Sequence, residues 1–169
     1  MISQDSVKSL MSSRVISVLP GTPVLMAIDI ILSNNFNGIP VVDKSGVLVG
    51  ILTKYDLISK RSSLRDDMKV EDIMNGEPLV LGEDQTVDDA IRAFAEHHKV
   101  DPIPVIDSDK KLVGVISRYD MVKMFKEYGV SFYSGSNPAP VKVGGNNNIV
   151  PVIVVGLVVL ALVIYYFFL

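Results

Sequence analysis

The residues best suited to chemistry are a hydroxyl and a carboxylate three positions apart, in a motif that occurs twice. Residues 50–56 read GILTKYD and residues 114–120 read GVISRYD. Thr53 precedes Asp56 in the first copy, as Ser117 precedes Asp120 in the second. This is the spacing of a capping box, in which hydroxyl and acid satisfy the first N–H groups of a helix. Capping alone would therefore explain both pairs.

The same motif also has features suited to a nucleoside phosphate. Each copy follows an apolar strand and opens a helix, where free N–H groups attract phosphate. A basic residue beside each hydroxyl, Lys54 or Arg118, could neutralise phosphate charge. The acid could accept hydrogen bonds from the ribose hydroxyls, as acidic residues do in dinucleotide sites. Capping alone and nucleotide binding both remain open at this point.

Other kinds of site find no support in the composition. The chain contains no cysteine, which excludes disulfides and thiolate metal sites. His97 and His98 are neighbours, and adjacent helical residues point in different directions, so they do not form a chelating pair. A net charge of −3 gives no basis for nucleic-acid binding. We expect no catalytic residue, no metal site and no cofactor other than a regulatory ligand.

The elements that position the two motifs recur in the same order in both halves of the chain. We predict a first repeat over residues 7–60, a polar linker over 61–69 and a second repeat over 70–127. Each repeat begins with a short helical turn, followed by strand, helix, strand, strand and helix. The first of these strands is predicted at residues 15–18 and 79–81. Neither half buries enough surface to be secure alone, so the two should pack together.

Local signals set the boundaries of the middle helix in the first repeat. Thr22 is predicted to cap this helix, with Pro23 in its first position. The segment ending at Gly38 should close it, with this glycine at positive φ.

The motifs and their order resemble a tandem pair of cystathionine β-synthase (CBS) domains, a Bateman module. The resemblance rests on GIPVVD at 38–43 and PIPVID at 102–107, which precede the two hydroxyl–acid motifs. It covers roughly three-quarters of the chain. It implies an α/β (α+β) fold of two β-α-β-β-α units related by a pseudo-twofold axis. It also implies disk-shaped homodimers and adenosine ligands, such as AMP, ATP or S-adenosylmethionine, bound in clefts between the repeats.

The resemblance further assigns parts of the ligand to residues of this chain. Asp56 and Asp120 would bind ribose, and Thr53 and Ser117 would lie at the phosphate. The backbone on the adenine side would come from two groups: Ile16, Ser17, Gly38, Ile39 and Pro40 in the first repeat, and Leu79, Val80, Pro102, Ile103 and Pro104 in the second. Pro102 stands where the first repeat has Gly38 and lacks a backbone N–H, so we expect different base contacts at the two sites.

The middle helix of the first repeat is apolar nearly all round. Leu25 and Met26 occupy positions that are Asp88 and Asp89 in the second repeat. Such a helix needs burial on more than one side. Deeper packing within the monomer would provide it, and so would a homodimer or partner contact, which is our hypothesis.

The C-terminal part of the chain has a different composition. Residues 131–148 are rich in Ser, Gly, Asn and Pro, which predicts a flexible linker. The uncharged stretch 149–169 would span roughly 31 Å as a helix, close to a bilayer core of about 30 Å. A buried core helix is the alternative. Lysines precede the stretch and no charge follows it, so the repeats should lie in the cytoplasm, held by a single-pass C-terminal anchor.

Together these patterns predict a membrane-tethered, non-enzymatic regulatory module. An adenosine nucleotide would bind between the repeats and act by conformational change, with a channel or transporter as the possible membrane partner. The alternative is an adaptor in which the repeats only dimerise and the two motifs only cap helices.

Overall fold

A computed structural model of the protein describes residues 5–127. In chain order the regular elements are α1 (Val7–Leu10), α2 (Val24–Ser33), β1 (Gly38–Val42), β2 (Leu48–Thr53), α3 (Lys54–Ser59), β3 (Leu81–Gly82), α4 (Val87–Glu96), β4 (Ile103–Ile106), β5 (Leu112–Ile116) and α5 (Arg118–Glu127). Short 3₁₀ turns lie at Arg61–Ser63 and Val70–Asp72. The helices and strands follow the predicted order in both repeats, except that the first strand of the first repeat is missing, and the mixed α+β fold is confirmed.

In each repeat a short sheet carries the hydroxyl–acid motif at the end of its last strand. In the first repeat β1 and β2 are antiparallel, with Gly38 opposite Thr53. In the second, β4 and β5 pair in the same way, with Ile103 opposite Ile116. Strand β3 adds a short parallel edge to β4. The motif residues therefore lie at one end of each antiparallel pair.

The first predicted strand of the first repeat is reduced to a single parallel bridge between Val18 and Val41. Val18 donates a 3.1 Å hydrogen bond to the Pro40 carbonyl, and its own carbonyl accepts one from Val42. The next bond along the ladder would need an N–H at Pro40, which proline lacks. Pro104 holds the equivalent place in the second repeat, where β3 is only two residues long. The two prolines account for the short outer strands.

The leading turn of each repeat packs on the other repeat. Val7 donates a 2.7 Å hydrogen bond to the Gln85 carbonyl, and Val70, its counterpart, donates a 2.9 Å bond to the Thr22 carbonyl. Val70 and Ile73 are fully or almost fully buried in the core of the first repeat. Neither repeat is therefore complete without the other.

The glycine that opens each motif leaves room for residues of the other repeat that pack against it. A Cβ on Gly50 would lie 2.8 Å from the Asn75 carbonyl oxygen and 2.8 Å from the Met74 sulfur. Gly114 receives the side chain of Met11 in the equivalent way. Asn75 also pairs with Ile51 through backbone hydrogen bonds of 3.0 and 2.9 Å. The glycines thus permit a close backbone approach between the repeats.

The boundaries of α2 differ from those predicted. The helix is capped by Pro23 without a side-chain bond, and the Thr22 carbonyl instead accepts the hydrogen bond from Val70. Positive φ occurs at Asn35, at 52°, and Gly38 is an ordinary strand residue. The contact with Val70 of the other repeat explains the first difference. The second is local, because Phe36 donates to the Ile31 carbonyl at 2.9 Å and Asn35 to the Leu32 carbonyl at 3.1 Å, the two bonds of a Schellman motif with Asn35 in the left-handed position.

The chain divides into two units after Asp120, within α5, and both hydroxyl–acid motifs belong to the first. Of the second unit, residues 121–127 are described, and they include the buried Met121 and Met124. None of the helices within residues 5–127 has the length and hydrophobicity needed to cross a membrane. The predicted linker 131–148 and membrane helix 149–169 lie outside the described residues.

Candidate functional site

The first hydroxyl–acid pair forms the predicted capping box at the start of α3. The Asp56 Oδ2 atom accepts a 2.9 Å hydrogen bond from the Thr53 N–H and a second, short bond from the Thr53 hydroxyl. The Asp56 N–H donates in return to the Thr53 hydroxyl at 3.2 Å. Capping at this junction is therefore confirmed.

The same three bonds occur at two other helix starts. Asp120 Oδ2 accepts from the Ser117 N–H at 2.8 Å and from its hydroxyl at 2.6 Å. Asp89 does the same for Thr86, at 3.0 and 2.7 Å. The hydrogen bond from the Thr86 hydroxyl is the main reason that the pKa of Asp89 lies below its usual value. Because Thr86 is not part of the repeated motif, capping by itself does not indicate a ligand site.

A cleft of about 230 Å³ between the repeats lies at the first junction. Its first-repeat wall contains Thr53, Tyr55 and Asp56, all partly exposed to solvent. The lining residues are Ile51, Thr53, Tyr55, Asp56, Asn75, Pro78, Leu79, Lys99, Val100 and Pro102. The predicted ribose and phosphate residues of one repeat thus face predicted adenine-side residues of the other.

Gly38, which lies opposite Thr53 in the sheet, occupies a crowded position. A Cβ on Gly38 would lie 3.1 Å from the Leu52 carbonyl oxygen and 3.3 Å from the Pro102 Cδ atom. The glycine therefore avoids crowding with Leu52 and Thr53 of its own repeat and with Pro102 of the other. The observed crowding replaces the predicted turn geometry as the reason for Gly38.

The remaining predicted adenine-side residues differ in exposure. Ile39 and Ile103 are fully buried in the core, and Pro40 and Pro104 are buried with them, so only their backbone could face a ligand. Val80 is half-buried beside Leu79.

Ile16 and Ser17 are the counterparts of Leu79 and Val80 at the second junction. A backbone bridge joins Ser12 to Val115, as Asn75 is joined to Ile51. Ile16 is 43% exposed and Ser17 is half-buried. The bridge at Ser12 thus joins the segment before these two residues to β5, the strand that precedes Ser117.

The two basic residues of the motifs have different surroundings. The Arg118 guanidinium donates to the carbonyls of Phe94, His97 and His98, the last at 2.8 Å, and lies over the Phe94 ring. It therefore binds the end of α4, and its assignment to phosphate stays a prediction. Lys54 is half-buried beside the cleft.

The predicted role of free helix N–H groups is weakened by the hydrogen bonds at both junctions. The Lys54 N–H donates to the Asn37 carbonyl at 2.8 Å, and the Asp56 N–H is used by the capping box. At the second junction the Arg118 N–H donates to Asp101 Oδ1 at 3.2 Å. Helix α3 is also only six residues long. A phosphate would therefore depend mainly on side chains.

Lys99 is the cleft residue that local motifs did not reveal. Lys99 belongs to the second repeat, and its Nζ atom lies 5.9 Å from the centroid of the Tyr55 ring, which belongs to the first. The only sequence signal is the residue inserted near the end of α4, which shifts the offset between the repeats from 63 to 64. Asn75, a second such residue, packs on Gly50 through its backbone.

A larger depression, of about 450 Å³, lies elsewhere in the first repeat. It is lined by Leu19, Pro20, Gly21, Thr22, Asp43 and Lys44. Its carboxylate, Asp43, already accepts bonds from the Ser45 N–H and hydroxyl and from the Val47 N–H. The smaller cleft is the better candidate because it brings together hydroxyl, acid and base from both repeats.

Comparison with known proteins decides the family. The family model of the CBS domain matches this sequence twice, over residues 7–63 and over residues 70–127. This chain belongs to the CBS domain family. The match covers more than half of the sequence, and both copies contain one hydroxyl–acid motif.

Several relatives share the pair of CBS domains. CBSX1, a chloroplastic CBS domain-containing protein of Arabidopsis thaliana, is 30% identical over 135 residues, which cover 63% of this chain and 57% of that protein. The crystal structure of CBSX2 in complex with AMP is 28% identical with a TM-score of 0.65, covering 72% of this chain and 96% of that one. The CBS domain pair of protein MJ0100, in complex with 5′-methylthioadenosine and S-adenosyl-L-methionine, is 26% identical with a TM-score of 0.64, covering 72% and 99%.

Other relatives are enzymes that contain the same domains. Inosine-5′-monophosphate dehydrogenase of Bifidobacterium longum is 42% identical over 90 residues, which cover 53% of this chain and 16% of the enzyme. The chain spans 16% to 25% of the lengths of the first three curated relatives. The dehydrogenase matches are confined to CBS domains, and CBSX2 is itself a CBS-pair protein. These comparisons confirm the expectation that the CBS pair of this chain is not an enzyme.

Proposed function

We propose that this CBS pair is a regulatory module that binds an adenosine nucleotide in the cleft between Thr53, Asp56 and Leu79. The observation that supports this most is the position of the cleft, because its walls come from both repeats. A ligand that contacts both walls favours one arrangement of the repeats over others, and this is how its binding energy acts.

Each part of a nucleotide has a suitable surface in the cleft. Asp56 accepts both capping bonds on Oδ2, which leaves Oδ1 as the acceptor for ribose hydroxyls. Leu79 and Pro102 provide an apolar surface for the base. Thr53 and Lys99 provide a hydroxyl and a cation among the lining residues. The relatives support the same ligand class, since CBSX2 was solved with AMP and the MJ0100 pair with two other adenosine compounds.

A mass measurement on the purified full chain tests this proposal. Native mass spectrometry from detergent, followed by acid release, should detect a nucleotide that co-purifies or binds when AMP, ATP or S-adenosylmethionine is added. Failure of the whole panel to bind would contradict nucleotide sensing.

The second candidate function is a dimerisation adaptor in which the motifs only cap helices. The observation in its favour is the Thr86–Asp89 cap, which has the same bonds although neither residue lines the cleft. An adaptor would bind none of the adenosine compounds while retaining its oligomeric state.

We further propose that the module forms homodimers through α2. Leu25 is 50% exposed, Met26 56% and Leu32 64%, so the described residues leave this face of α2 uncovered. Apolar side chains in such a row would be covered by a second copy. Replacing Leu25 and Met26 together with Asp should convert the dimer to a monomer in analytical ultracentrifugation. Leu19→Asp, on a loop and 45% exposed, is the matched control. An unchanged sedimentation coefficient in the double variant would refute this interface.

The last part of the proposal is a membrane tether at residues 149–169, with the repeats on the cytoplasmic side. Its support is the uncharged composition of this stretch and the lysines that precede it. A channel or transporter would be the partner brought close by the tether. Resistance of the full chain to extraction by alkaline carbonate, lost when 149–169 is deleted, is the expected result. Extraction of the full chain would contradict the tether.

A further inference from the structure

Among the described residues that line the cleft, Lys99 is the one cation. Lys99 reaches it from the second repeat and lies 5.9 Å from the Tyr55 ring centroid. Tyr55 is 60% exposed, so the lysine stays in water and its charge is open to a ligand. A cation over an exposed aromatic ring gains only about 0.5–1 kcal/mol. That contact can therefore be exchanged for a stronger bond to an anion.

The equivalent position in the first repeat has no charge. With the offset of 64 residues, Lys99 corresponds to Asn35 and Asp101 to Asn37. At the second junction, the residue that corresponds to Lys99 is therefore the neutral Asn35.

A carboxylate adds to this asymmetry. At the start of α5, Asp101 Oδ1 accepts the Arg118 N–H at 3.2 Å. At the start of α3, the corresponding N–H, of Lys54, is accepted by the neutral Asn37 carbonyl at 2.8 Å. An acid at the second junction repels phosphate, and no such acid takes this place at the first.

Lys54, the basic residue of the first motif, is half-buried and is not among the residues that line the cleft, and the uncharged groups at this junction supply no positive charge. The N–H groups of Lys54 and Asp56 are already used, and the Thr53 hydroxyl is bonded to Asp56. A phosphate in this cleft needs a charged donor, and the lysine ammonium provides one with three N–H groups.

We infer that Lys99 is the residue that makes the Thr53–Asp56 cleft select phosphorylated adenosine over uncharged adenosine. This inference rests on the proposed function, because it assigns ligand charge to the same cleft. It separates AMP from compounds such as 5′-methylthioadenosine, two ligand types found with related CBS pairs.

The experiment compares AMP and adenosine on the full chain in detergent by isothermal titration calorimetry. Lys99→Gln should lower the AMP affinity about tenfold or more and leave the adenosine affinity within about twofold, since a charge-assisted bond is lost only with phosphate. Lys99→Arg should keep most of the preference for AMP. Lys44→Gln removes the same charge from an exposed turn and should leave both affinities unchanged.

The outcomes are distinguishable. If AMP and adenosine bind and their affinity ratio is unchanged in Lys99→Gln, Lys99 is not the selective residue while nucleotide binding stands. If both affinities fall equally, Lys99 supports the cleft structurally and the inference is wrong. If neither compound binds the wild-type chain, the inference and the proposed function fall together.

Discussion

The Asn37 side chain donates a 2.9 Å hydrogen bond to the carboxylate of Asp101, its counterpart 64 residues later. Equivalent positions meet in this way only near the pseudo-twofold axis, where the next pair, Gly38 and Pro102, is also in contact. Within each pair the two residues differ in chemistry: the first pair joins an amide and an acid, and the second joins a glycine and a proline. The two repeats therefore differ at these two touching positions, and the two junctions beside them are not equivalent.

The first prediction concerns Gly50, against which Met74 and Asn75 of the other repeat pack. Gly50→Ala should destabilise the protein by about 1–3 kcal/mol, because the new Cβ meets the Asn75 backbone carbonyl at 2.8 Å. Gly114→Ala should cost less, since it meets the flexible Met11 side chain. Urea denaturation measures both. Gly21→Ala is the control, with no atom within 4 Å of its added Cβ. Equal stability of all three variants would argue against the close approach of the repeats.

The second prediction concerns the two hairpin turns, which bond to each other. The Leu48 N–H donates to the Lys110 carbonyl and the Leu112 N–H to the Gly46 carbonyl, both at 3.0 Å. Gly46 has φ of 85° and Lys110 has φ of 63°, so a lysine occupies a left-handed conformation.

Exchanging these residues should change stability in opposite directions. Lys110→Gly relieves strain of about 1–2 kcal/mol against an entropic cost of about 0.5–1, for a net gain of roughly 0.5 kcal/mol. Gly46→Ala introduces the same strain and should lower stability. Thermal and urea unfolding of the two variants give the signs. A loss of stability in Lys110→Gly would show that the lysine conformation is not strained.

The third prediction separates capping from binding. Thr53→Ala and Thr86→Ala remove equivalent caps and should each cost about 1 kcal/mol of unfolding free energy. Only Thr53 lines the cleft, so only its replacement should also weaken AMP binding. The measurement is chemical denaturation paired with calorimetric titration. Equal effects of both variants on AMP would mean that the cleft responds only to global stability.

Local signals were sufficient for much of this fold. The repeated order of elements and the caps at Thr53, Thr86 and Ser117 follow from short spacing rules, because each depends on residues within one turn. The buried strands around Ile39 and Ile103 were likewise visible as apolar runs.

Features that depend on distant residues were not predictable in this way. The cleft at Asp56 draws on Lys99 of the other repeat, and no local pattern states which repeat supplies which wall. Local spacing predicts a turn at Gly38, because it does not include the crowding that a Cβ would meet there, in part from Pro102 of the other repeat. Arg118 reaches the end of α4 because a carbonyl cluster lies there, a partner that sequence spacing does not reveal.

The central claim is that Asp56 binds ribose in a nucleotide cleft, and one calorimetric titration with AMP tests it most directly. The wild-type chain should bind AMP with saturation, and Asp56→Ala should lose about tenfold to a hundredfold in affinity, as expected for a hydrogen bond to a charged group. Asp89→Ala removes an equivalent capping acid outside the cleft and should bind as the wild type does. Absence of AMP binding by the wild-type chain, or the same affinity in Asp56→Ala and Asp89→Ala, would contradict the claim.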